Sequence, residues 1–275
     1  MKIIVWLAAL LLALYLAACT YMFVQQRAIV FNPSQDDVSL AVDRVPRAIN
    51  VALATADGET LQAWWVAPAA GKPVYLYLHG NAGNLVGSFT QPTARAERFA
   101  GLTLDGAGML ALSWRGFGGS SGSPSEAGFL LDADTALAWV RQQTPESSII
   151  LFGESLGTGV ATQLAAREQF AALILDSPFT SVVNVGAERY PWLPVKLLSK
   201  DHFDSISQAA NIREPVMIQH CVDDDVVPYA MGQQLYAALA SNEKLFRTVE
   251  GRCHVPSIFP QLPLLRELET RFTQQ

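Results

Sequence analysis

Residues 148–166 read "SIILFGESLGTGVATQLAA", and their rhythm changes in the middle. An apolar run with no charge stops at Gly153, a polar pair follows, and a helical pattern of small residues starts at once. A run this short and this apolar fits a strand buried on both faces of a parallel sheet. Ser155 then sits between Gly153 and Gly157 at the seam between strand and helix. A reactive hydroxyl held on so tight a turn needs small neighbours and unusual backbone angles, and the helix that follows supplies unpaired N–H groups and a favourable dipole. The G-x-S-x-G pattern alone would arise by chance in roughly one chain of this length in ten. Its place between a strand and a helix gives it weight.

The rest of the chain repeats this alternation. Val51 to Thr55 and Leu61 to Val66 flank Asp57-Gly58 and predict a hairpin. Val74 to Leu78, Met109 to Trp114, Ile149 to Phe152, Ala172 to Leu175, Val216 to Gln219 and Leu245 to Val249 predict six further strands, with Arg247 and Thr248 marking the last as an edge. Between them, Ser123 is positioned to cap a helix that has Pro124 in its first turn, Glu126 completing a capping box, and an apolar stripe running to about Gln143. The prediction is a single α/β domain, a doubly wound and mostly parallel eight-stranded sheet opened by an antiparallel hairpin.

Composition narrows the function. Of 275 residues, 50% are hydrophobic and 16% charged, with a net charge of −6 and no Lys/Arg run, so a packed body is expected and a nucleic-acid partner is not. Ile3 to Ala18 is 16 residues without a charge, as in a signal peptide, and it ends in Leu16-Ala17-Ala18-Cys19. These four residues resemble the lipobox of bacterial lipoproteins, which implies cleavage before Cys19 and lipidation of its thiol. Continued through Val24 as an uncleaved anchor, the same stretch is long enough to span a bilayer. Residues 1–24 are therefore signal peptide or anchor, Gln25 to Asp37 a linker, and 25–275 the folded domain. Either reading anchors the chain at its N-terminus, with the domain on the periplasmic side.

Serine hydrolases of this architecture carry the acid and then the base after the nucleophile. Of the three histidines beyond Ser155, His202 falls in a polar helical stretch and His220 ends a strand; His254 follows the last strand. Upstream, "YLYLHGNAGN" ends a strand in a glycine-rich turn at His79-Gly80-Asn81, suited to a second oxyanion donor, with His79 itself structural. Three adjacent aspartates, Asp223, Asp224 and Asp225, are candidates for the acid.

Together "LHGNAGN", "SWRGFGGSSGSPSE", "LFGESLGTGVA", "YPWLPVKLL", "HCVDDDVVP" and "CHVPS" resemble the α/β-hydrolase superfamily. Within it they are most similar to the short-capped, membrane-tethered serine hydrolases of the bud-emergence type, related to protein depalmitoylases. The resemblance runs from about Arg27 to Phe272. It implies Ser155 as nucleophile, Asp224 as orienting acid (counted back from Val227-Pro228) and His254 as base, with the Asn81 and Leu156 N–H groups as oxyanion hole. No metal or other cofactor is implied, and the substrate is a small molecule or an acylated one. Residues 181–214 become a short cap, and Arg115 a loop anchor. The sequence departs from the family at Cys221, where glycine is usual. Cys253 precedes the base, so the two thiols either form a disulfide joining the acid and base loops or lie buried separately. Ester or thioester hydrolysis is the leading function. A serine aminopeptidase-like activity would call for an amine-binding acid pair in the cap, where only Glu188, Asp201 and Asp204 stand, and a membrane-bound scaffold would need none of the three site residues.

Overall fold

In the computed structural model, residues 1–256 are described; the end of the domain at 275 and the family resemblance past Pro256 lie outside the described residues. Eight strands, β1 (Ile49–Ala54), β2 (Thr60–Val66), β3 (Val74–Leu78), β4 (Gly108–Leu112), β5 (Ile149–Glu154), β6 (Ala172–Asp176), β7 (Val216–Cys221) and β8 (Lys244–Val249), form one sheet in the order β1-β2-β4-β3-β5-β6-β7-β8. β1 pairs antiparallel with β2, and β2 antiparallel with β4; the remaining pairs are parallel. β8 lies at an edge, as Arg247 and Thr248 predict. The helices are α1 (Lys2–Phe31), α2 (Ala94–Leu102), α3 (Glu126–Gln143), α4 (Leu156–Ala165), α5 (Val182–Arg189), α6 (Val195–Leu198), α7 (Ser205–Gln208) and α8 (Tyr229–Ala238).

The short apolar runs have a direct cause. Val74, Leu76 and Leu78 of β3 enter one core cluster, while Tyr75 and Tyr77 enter the other, so alternate side chains are buried on opposite faces of the sheet. The chain turns from β3 outward to β4 and then back past β3 to β5. That reversal opens a crevice beyond the carboxyl ends of β3 and β5, where ligands of open α/β sheets bind.

Three local expectations need correction. α3 starts at Glu126, not after Ser123: Ser125 is the cap, its hydroxyl accepting from Gly128 N at 3.1 Å. Glu126 makes no capping box. Its carboxylate accepts instead from the amides of His202 and Phe203, at 2.6 and 2.9 Å, and so ties α3 to the segment after α6. His202 itself lies in an irregular stretch, outside any helix. The third correction concerns the linker. Residues 25–31 continue α1, and Phe31 is fully packed against Phe129 and Phe203 in the core. α1 is thus one 30-residue helix, about 45 Å long by its rise per residue, with mean hydropathy 2.5 over its apolar window. It is long and apolar enough to cross a membrane.

Candidate active site

Ser155 occupies the turn from β5 to α4 with φ 48° and ψ −117°, a strained conformation for a residue with a side chain. Two close approaches hold the turn. A Cβ on Gly157 would fall 2.0 Å from Leu78 O, and one on Gly153 2.8 Å from the Thr158 Cα, so only glycine fits at either position. The Ser155 amide is fixed by Asp176 O at the end of β6, at 2.8 Å.

The structure brings the three predicted residues together. His254 Nε2 lies 2.8 Å from Ser155 Oγ, and His254 Nδ1 lies 2.8 Å from Asp224 Oδ2. They arrive from the carboxyl ends of β5, β7 and β8, which the parallel sheet sets on one rim. Among the three aspartates, Asp225 is exposed and pairs with Arg252 at 2.6 Å, and Asp223 is also exposed. Asp224 alone turns inward, its side chain fully shielded from solvent. Its Oδ1 accepts from the amides of Val226 and Val227, each at 2.9 Å, and Oδ2 also lies 3.3 Å from His220 Nε2. Burial opposes ionisation of Asp224, but hydrogen bonds from His220 and His254 outweigh it and hold the carboxyl below the usual range.

Asn81 and Leu156 line the same cavity as Ser155. Leu156 is the first helical residue of α4, where the amide has no acceptor within the helix. The Asn81 side chain donates to Val30 O of α1 at 2.8 Å, an attachment that sequence reasoning did not foresee. Cys221 and Cys253 are joined by a disulfide, their Cα atoms 5.6 Å apart, between the strand leading to Asp224 and the residue before His254. Cys19 lies within the unbroken α1, buried on the face that also carries Tyr15, whose hydroxyl donates to Trp192 O at 3.2 Å.

Sequence reasoning missed the polar floor of the site. Arg95 donates twice to Glu154 Oε1, at 2.9 and 2.8 Å, and also to the carbonyls of Ala82, Asn84 and Asn81, at 2.9, 2.8 and 3.2 Å. Arg98 donates to Asp176 Oδ2 at 2.6 Å and to Pro256 O at 2.9 Å, beyond His254. Tyr77 Oη donates to Glu154 Oε2 at 2.6 Å. Two arginines and two carboxylates, all buried, thus tie the Asn81 turn, the Ser155 turn and the His254 loop to one another. Burial opposes the Glu154 charge, but Arg95 and Arg98 outweigh it and hold its pKa well below normal; at Asp176 burial wins and raises it. One signal was available: Arg95 and Arg98 stand in the same helical stripe as buried Phe99 and Leu102.

The other singled-out residues have structural surroundings. His79 is fully buried against Trp114 and Phe117, its Nδ1 2.6 Å from Gly80 O. Burial and the nearby Arg95 charge push it down to about 3, so it is neutral at physiological pH. Arg115 bridges Asp57 of the hairpin turn and Asp132 of α3, at 2.7 and 2.8 Å. Among the described residues no cluster of His, Cys, Asp and Glu is arranged to hold a metal.

A mostly parallel sheet with a strained serine at its rim is the architecture of a hydrolase class, and the comparisons place the chain within it. The family model for the alpha/beta hydrolase fold matches residues 73–208. The uncharacterized protein MT2364 of Mycobacterium tuberculosis is 38% identical over 239 residues, covering 86% of this chain and 82% of its own length. The lysophosphatidylserine lipase ABHD12 of Danio rerio is 35% identical over 63% of this chain and 49% of its own, and that of Rattus norvegicus 33% identical over 78% and 56%. The chain thus spans about half the length of these lipases. Among solved structures, the esterase Pf2001 of Pyrococcus furiosus superposes with a TM-score of 0.71 at 19% identity, covering 88% of this chain and 97% of that one. Est1E of Butyrivibrio proteoclasticus, with ferulic acid bound, gives 0.64 at 18%, covering 82% and 98%. The chain belongs to the alpha/beta hydrolase superfamily, and by family it is a hydrolase.

Proposed function

We propose that the protein is a membrane-anchored serine hydrolase that cleaves the carboxylic ester of a single-chain lipid through an acyl-enzyme on Ser155. The observation that carries this reading is the unbroken chain of 2.8 Å contacts from Ser155 Oγ through His254 to Asp224. In the first step His254 Nε2 takes the serine proton as Oγ attacks the ester carbonyl, while Asp224 holds Nδ1–H and favours the charged imidazolium. The N–H groups of Leu156 and Asn81 receive the developing oxyanion, each such donor lowering the barrier by about 3 kcal/mol. The intermediate collapses to acyl-Ser155, and His254 returns the proton to the departing alcohol. Water, deprotonated by His254, then attacks the acyl carbon and releases the acid. A thioester would follow the same steps with a thiol leaving.

Two cavities meet at Ser155 and support a lipid rather than a peptide. One, about 420 Å³, lies toward α2 and has Gln91, Arg95, Arg98 and Glu154 among its lining residues; the other, about 170 Å³, is lined mostly by apolar residues and lies toward α1 and α5. Such a pair suits a polar leaving group and a fatty acyl chain. The relatives that act on lysophosphatidylserine support the same substrate class. The peptidase alternative has less support: of its three cap acids, Asp201 is engaged by Arg27 of α1 at 2.8 Å and Asp204 caps α7, which leaves Glu188 to bind an amine without an acid pair. Residues 181–214, carrying α5, α6 and α7, act as the short cap over the apolar side.

The anchor is α1. The bond from Tyr15 to Trp192, upstream of Cys19, favours retention of the whole helix over cleavage at the lipobox. The disulfide beside the site favours an oxidising compartment, and so a periplasmic body. Labelling the full-length protein in detergent with a fluorophosphonate tests the enzyme. Ser155→Ala is expected to abolish labelling and to lower kcat on a short ester by about 10⁴-fold or more. Labelling that survives in Ser155→Ala would refute the assignment. Palmitate incorporation that Cys19→Ala removes would replace the anchor by a lipoprotein.

A further inference from the structure

The apolar side of the cleft continues well past the reacting atoms. The cavity that starts at Ser155 and Leu156 is walled by Ile29 and Val30 of α1 on one side and by Val182 and Tyr190 on the other. A second cavity, about 90 Å³, shares these four walls and extends along α1 to Met22, Leu193 and Leu198. From Val30 to Met22 the helix climbs about 12 Å. Gly186 borders both cavities, and a Cβ there would come 3.1 Å from the Val195 side chain, so the bare glycine keeps this shared wall clear.

Its far end faces an apolar surface. Beyond Met22 the same helix exposes Leu16, Leu14 and Leu12, and beside it Trp192 and Leu197 are 53% and 86% exposed. Single exposed apolar side chains are ordinary. Here they stand beside a helix long enough to span a bilayer.

We infer that these two cavities form an acyl-chain groove in which the last turns of the membrane helix are one wall, so that the fatty chain of the substrate reaches Ser155 lengthwise along α1 from the bilayer. The inference rests on the ester-hydrolase reading and adds to it a specificity site: Ile29 near the reacting carbonyl and Met22 toward the chain's far end. An unbranched acyl chain fits on two counts: the lining is mostly apolar, with Gln26, Ser199 and Asp201 as polar residues of the far cavity, and the far end adjoins the exposed apolar face of α1.

The test uses the full-length protein in detergent with p-nitrophenyl esters from acetyl to palmitoyl. In the wild type, kcat/KM is expected to rise with chain length, by up to about fourfold for each methylene buried. Ile29→Trp should lower the ratio of dodecanoyl to acetyl kcat/KM at least tenfold. Met22→Trp should lower the palmitoyl-to-octanoyl ratio while shifting the octanoyl-to-acetyl ratio much less. If both variants keep the wild-type chain-length profile, or fall equally on every ester while the fluorophosphonate still labels Ser155, the groove is wrong and the esterase stands. If the wild type neither labels nor hydrolyses any ester, the esterase reading falls and takes the groove with it.

Discussion

The cleft at Ser155 has one wall held by charge and another held by shape. Toward α2, Arg95 and Arg98 are all but excluded from solvent, and they donate directed hydrogen bonds to Glu154, Asp176, the Tyr77 hydroxyl and loop carbonyls. Toward α1 and α5, Ile29, Val182 and Tyr190 are only partly covered, and α1 meets the Asn81 turn through two bonds to its last carbonyls, Asn81 Nδ2 to Val30 O and Ala82 N to Phe31 O. On the proposed reading of the site, the difference follows what each wall would do. Reacting atoms tolerate little displacement, so the loops that carry them are pinned by a paired, fully shielded network. A fatty chain varies in length and conformation, and half-buried aliphatic side chains accommodate it at little cost.

Breaking the charged wall should have the largest effect on the fold. Arg95→Met leaves Glu154 buried without its main partner, and removing one member of such a pair costs about 3–5 kcal/mol. Because Asn81 and Ser155 both lose their brace, kcat should also fall alike for short and long esters. Urea titration and a two-ester assay measure both; unchanged stability would mean the charged wall is no stiffer than the apolar one.

A slightly smaller effect is expected at the disulfide. Closing a loop with a sequence separation of 32 is worth about 3–4 kcal/mol in the chain-entropy picture. Cys253→Ser should lower stability by up to that amount and reduce kcat by loosening His254 against Asp224. Reduction of the wild type by dithiothreitol should do the same, and an enzyme indifferent to both would show that the charged network alone keeps the triad aligned.

The smallest effect sharpens the comparison through pH. His79, beneath the charged wall, has a folded pKa of about 3, below its ordinary value of about 6.5. Between those values the unfolded chain binds a proton that the folded chain refuses, so stability falls as pH falls through this window, by about 1.4 kcal/mol per unit. From pH 6.5 to 5 the contribution is about 2 kcal/mol. His79→Asn should flatten the acid side of the Tm profile by that much relative to the wild type. A variant whose profile runs parallel to the wild type's would remove His79 from the account.

Much of this was legible in one dimension, for reasons particular to each residue. Ser155 announces itself because a sharp turn after a buried strand needs Gly153 and Gly157 beside it. His254 stands out by its place after the last strand. Asp224 was harder: three aspartates in a row carry one composition, and the choice of the middle one came from the family resemblance, while the turn in which its Oδ1 accepts from Val226 and Val227 gives the physical reason that it faces inward. The capping residue of α3 was misplaced by two positions because Glu126, which looked like a capping partner, binds the amides of a segment some 76 residues away.

Periodicity, turn chemistry and strand order are local or nearly so, and the chain by itself determined the α/β sheet, the strained serine and the order of its partners. Tertiary structure alone decided that Arg95 and Arg98 pair inside, and that α1 runs unbroken into the domain and settles against Asp201, 174 residues away. The reason is physical. A buried charge is defined by the partner that neutralises it and a groove by the two segments that face each other, and neither is written in the spacing of either segment alone.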